Sequence, residues 1–94
     1  MKKYPKKPNL LKKARLLEIV GEPTRIRILC MMLENSEACV TDIAESLGMS
    51  IASTSHHLQI MRDNGLFTTE RRGNSIYYRI VKNDFTRIIK KLIC

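Results

Sequence analysis

Between Leu10 and Val20 the apolar side chains Leu10, Ala14, Leu17 and Val20 recur three or four residues apart, which predicts a first helix stopped at Gly21, before "EPT". Pro23 suits the first turn of a second helix. From Thr24 to Leu33 that helix carries Ile26, Leu29, Cys30 and Leu33 at i, i+3, i+4 and i+7, a stripe that places it at the centre of the core. "ENSEA" reads as a polar connection. Thr41 is then placed to cap a short helix with Ile43, Ala44 and Leu47 on one side, closed by Gly48, and Ser50 is placed to cap the next. Two short helices joined by about three residues, one of them glycine, have the spacing of a helix-turn-helix. At Leu66 the period drops to two: "LFTTERRGNSIYYRIV" holds two stretches rich in Phe, Thr, Ile, Tyr and Val around Gly73 and Asn74, a two-residue hairpin signal. Asn83 or Asp84 caps a last helix whose Phe85, Ile88, Ile89, Leu92 and Ile93 form one stripe.

The pattern predicts a fold that is mainly α with a small β-hairpin, a winged helix-turn-helix. The first and last helices each carry an apolar stripe too extensive for a solvated surface, so a homodimer through these two helices is expected.

The helix opened by Ser50 is the most informative segment. At about 100° per residue, Ile51, Thr54, Leu58 and Met61 share one side and are expected to face inward, leaving Ala52, Ser55, His56 and Gln59 outward. The outward residues are small or polar and carry no negative charge, which suits a helix pressed into a DNA major groove. His57 leans toward the body. Ser50, Ser53, Ser55, His56 and Gln59 are the candidate DNA contacts on this helix, and Arg71 and Arg72 are their counterparts at the hairpin, where cations grip phosphates. Adjacent histidines diverge around a helix and lack the i, i+4 spacing of a helical metal site, so no metal site is read here. No hydrolase, kinase or nucleotide-binding motif is present, and the protein is not expected to be an enzyme or to need a cofactor.

Composition sharpens this picture at one end of the chain. The 94 residues carry a net charge of +8, yet the first fifteen hold Lys2, Lys3, Lys6, Lys7, Lys12, Lys13 and Arg15 and no acid, so nearly all the excess sits there. Residues 1–9 are therefore expected to form a basic flexible arm, and residues 10–94 the winged helix-turn-helix DNA-binding domain. No apolar run is long enough for a bilayer or a secretory h-region, and three cysteines make no paired framework, so a cytoplasmic protein without a membrane partner is expected.

The order of elements, with "GEPTRIRILCMML", "EACVTDIAESLGMS", "SHHLQIMRDNGLF" and the wing "RRGNSIYYRI", resembles the ArsR/SmtB family of winged-helix repressors from Leu17 to Cys94. The resemblance implies a dimer that binds double-stranded operator DNA, an imperfect inverted repeat, and releases it when an inducer binds; Ser55 and His56 match the family's DNA-contacting "SH". Ile51 and Ala52 stand where many members have polar residues. Metal-sensing members carry C-x-C in the third helix, whereas here Cys39 keeps the first place and Thr41 takes the second, and the last helix lacks the family's acidic and histidine ligands. A branch similar to thiol and persulfide sensors pairs a cysteine in "ILC" with one near the end of the last helix, and Cys30 and Cys94 match it. The expectation is a repressor released by thiol oxidation or persulfidation. A metal-responsive repressor and a winged-helix protein-interaction module are the alternatives.

Overall fold

The computed structural model describes all residues from Met1 to Cys94, in the order α1 (Pro8–Val20), α2 (Pro23–Asn35), β1 (Glu37–Cys39), α3 (Val40–Leu47), α4 (Ile51–Asp63), β2 (Phe67–Arg72), β3 (Ser75–Ile80) and α5 (Asp84–Leu92). The five helices, the hairpin and the helix-turn-helix at α3–α4 are as the periodicity predicts. The helix starts are set by local chemistry. Pro8 opens α1 with a residue whose missing N–H would have no partner there. Glu22 caps α2, its carboxylate accepting bonds from the backbone N–H of Thr24 at 3.1 Å and of Arg25 at 3.0 Å. Ser50 caps α4 by accepting from Ser53 N at 3.1 Å. Asn83 and Thr86 form a reciprocal capping box at α5. Gly48, at φ 65°, provides the left-handed residue that ends α3 and turns the chain into α4.

Two predicted local features are corrected. Thr41 lies inside α3, and the N-cap position is Cys39, whose Sγ sits 4.0 Å from the Thr41 hydroxyl. The reason is a strand hidden in "ENSEA": Glu37–Cys39 forms β1, pairs antiparallel with β3 (Glu37 opposite Arg79, Cys39 opposite Tyr77), and runs straight into the helix. The wing is thus a three-stranded sheet ordered β1-β3-β2.

Ile28, Leu29 and Met32 of α2, Ile43 of α3, Leu58 and Met61 of α4, Leu66, and Phe67 and Tyr78 of the sheet make the centre of one core, with Ile19, Val20 and Ile89 closing it from α1 and α5. Phe67 and Tyr78 meet edge to face, their centroids 6.0 Å apart. Burial pushes the Tyr78 hydroxyl above its ordinary pKa, so it stays neutral. The stripe read on α1 divides. Val20 is buried, whereas Leu10 and Leu17 are about half exposed, because α1 meets the core through Leu16, Ile19 and Val20 near its C-terminal end.

Candidate nucleic-acid interface

Helix α4 is held by its inner side. Thr54, Leu58 and Met61 are fully buried, and the Thr54 hydroxyl donates to Ser50 O at 2.8 Å, so this buried polar group is satisfied. Ile51 departs from the predicted inward set: it is 55% exposed, since it starts the helix beyond the reach of any packed element. It therefore adds an apolar contact to the outer surface.

The outer side carries Ser50, Ala52, Ser53, His56 and Gln59, all exposed, with Ser55 half-buried among them. Gln59 Nε2 donates to Ser55 Oγ at 3.0 Å, one turn apart, which orients an amide group able to offer a donor and an acceptor to a base edge. No carboxylate interrupts this face before Asp63 at the end of the helix, so nothing on it repels phosphate.

His57 points the other way, as its angular position predicts. Its Nδ1 is buried without a hydrogen-bond partner and lies 3.8 Å from Glu22 Oε2. The backbone N–H of Thr24, then the N–H of Arg25 and the charges of His57 and Arg25, hold the Glu22 carboxyl below its ordinary pKa. One carboxylate therefore serves both as cap of α2 and as neighbour of α4. Sequence reasoning missed Glu22, although a carboxylate directly before Pro and Thr at a helix start was the available signal.

The wing separates the two candidate arginines. Successive residues on a strand point to opposite faces. Arg71, opposite Ile76, lies on the face continuous with Phe67 and Tyr78, while Arg72, opposite Ser75, lies on the outer face with Glu70 and Tyr77. Arg71 makes one bond, to Gly73 O at 3.3 Å in its own turn. Arg72 is tied into the sheet: it stacks over Tyr77 at 4.3 Å and donates to Glu37 at 3.0 and 3.1 Å and to Glu70 at 3.0 Å. Those bonds, from Glu37 first, raise its pKa far beyond its ordinary value.

The structure brings Cys30 of α2 and Cys94 beyond α5 together in a disulfide, with Cα atoms 5.5 Å apart. Cys39 is a free thiol, buried, beside Thr41. No group of three or more His, Cys, Asp or Glu side chains converges anywhere in the chain, and no helix is long and apolar enough to cross a membrane. The outer faces of α1 and α5 leave Leu17, Ile88, Leu92 and Ile93 more than half exposed. Leu17 and Ile93 border an apolar groove floored by Val20, Ile26 and Ile89.

Residues 22–69 match the arsR family of bacterial regulatory proteins. An uncharacterised HTH-type transcriptional regulator of Methanocaldococcus jannaschii is 34% identical over 84% of this chain and 89% of its own length. Among solved structures, HlyU from Vibrio cholerae superposes with a TM-score of 0.84 at 29% identity, covering 93% of this chain and 94% of that one. The AntR antimony-specific transcriptional repressor superposes with a TM-score of 0.83 at 28% identity over 96% and 81%.

Proposed function

The chain belongs to the arsR family of bacterial regulatory proteins, DNA-binding transcriptional regulators and not enzymes, and from that premise we propose that it is a homodimeric, sequence-specific repressor released from its operator when Cys30 and Cys94 become linked. The bare, uncharged side of α4 carries the DNA half of this reading. Ser55, His56 and Gln59 address base edges, and Ser50, Ser53 and the backbone of the first turn lie along phosphate. Arg71 is the wing's phosphate contact. In the dimer two such helices enter successive major grooves, about 34 Å apart.

The sensing half rests on where the two cysteines sit. Linking them removes two protons and two electrons, which pass to an oxidant such as a peroxide, a disulfide or a polysulfide. The bond ties the end of α5 to α2, which occupies the core and presents Glu22 to His57 of α4. It also fixes the position of Ile93, on the apolar border where α5 would meet its twin. The linked form is the one with lower DNA affinity, because the two recognition helices lose the spacing that fits the duplex.

The deciding experiment is a gel shift on DNA upstream of the protein's own gene, with and without reductant. Binding under reductant, weakened by oxidant in the wild type and indifferent to oxidant in Cys30→Ser, is the expected outcome. A Cys30→Ser protein still released by oxidant ends the thiol assignment. Affinity that does not fall with added salt ends the DNA reading, since each phosphate neutralised contributes a log-log slope of about −0.9.

A further inference from the structure

Glu37 is the first residue of β1, at the edge of the sheet farthest from the free arm of the hairpin. Its carboxylate nevertheless reaches both other strands. Arg72 Nη1 and Nη2 donate to its two oxygens at 3.0 and 3.1 Å, passing over the ring of Tyr77 on the intervening strand, and Arg79 Nη2 donates to Oε2 at 2.6 Å. One carboxylate thus gathers three N–H groups from two arginines, which hold it below its ordinary pKa, Arg72 contributing most. β1 runs without interruption into α3, so this carboxylate is fixed to the helix-turn-helix, whereas the backbone pairing of β1 reaches β3 at Tyr77 to Arg79 and stops short of the tip, where β2 and β3 pair with each other.

We propose that Glu37 is a positioning residue for DNA binding: through Arg72 and Tyr77 it fastens the wing to the helix-turn-helix, so that Arg71 on the opposite face meets phosphate at a set distance from α4. This rests on the DNA reading above. Arg72 then serves as a strut rather than a phosphate ligand. Stacking, a two-point bond to Glu37 and a third bond to Glu70 would all have to break before it could leave.

Charge alone predicts the opposite sign, because removing a carboxylate near a polyanion raises affinity. The test measures fluorescence anisotropy of a labelled, mixed-sequence duplex of about 30 base pairs, under reductant and over a series of salt concentrations, for the wild type, Glu37→Gln, Arg72→Lys, their double variant and Arg71→Gln. Glu37→Gln and Arg72→Lys are each expected to weaken binding about three- to tenfold, with the double variant no worse than the weaker single, as residues of one network behave. Both leave the salt slope unchanged, whereas Arg71→Gln lowers it by about one. Amide exchange in β2 and β3 is expected to quicken in Glu37→Gln while the α2 core stays protected. Tighter binding by Glu37→Gln, unaltered binding, or additive effects in the double variant would each overturn the positioning role while the DNA reading stands. A wild type that fails to bind the duplex at any salt overturns both.

Discussion

Glu22 occupies a junction at which a single side chain serves two helices. Its oxygens complete the first turn of α2, and the nearer one faces the buried Nδ1 of His57 on α4. Glu22→Ala removes the cap and is expected to cost about 1 kcal/mol in urea unfolding near neutral pH. The sign with pH follows from the lowered pKa. A carboxyl held below its ordinary value of 4.5 stabilises the fold above that value and loses this contribution as pH falls through the folded one. The gap between wild type and Glu22→Ala is therefore expected to narrow below about pH 4. His57's inward lean was legible, because angular position around a helix is set by sequence number alone. Its partner was not, since Glu22 lies 35 positions away and only tertiary packing brings it near.

Among the elements, helices with sharp boundaries were the most legible, because caps act within four residues. Asn83 opens α5 as expected, and Thr86 completes the box, its buried hydroxyl also donating to Val81 O at 3.0 Å. Thr86→Val keeps the shape and strands those partners, so it is expected to destabilise by about 1–3 kcal/mol with an unchanged denaturant slope. β1 escaped detection for the converse reason: three residues carry no usable alternation, and they form a strand only because β3 offers an edge. The consequence reaches the candidate site, since β1 supplies Glu37 and so removes Arg72 from the set of free cations. The opposite facing of Arg71 and Arg72 was available from the two-residue period of a strand.

Over the whole molecule, the apolar stripes of α1 and α5 are buried on one side and bare on the other: Ile19, Val20 and Ile89 close the core, while Leu17, Ile88 and Leu92 face out. These outward residues are the expected contacts between subunits. Ile88→Glu is expected to halve the mass in sedimentation and abolish tight DNA binding, with the monomer still folded, because this side chain is 58% exposed and adds little to its own core. A dimer of unchanged affinity would move the interface elsewhere. By itself the sequence determined the helices, the hairpin and the uncharged outer side of α4, because these follow from residue period and from capping within a turn. Tertiary structure alone decided that β1 exists and that Glu37 takes Arg72, and it brings Cys30 and Cys94, which the family resemblance pairs, together across a separation of 64 residues. Each of those is a contact between distant positions, and no local period encodes such distances.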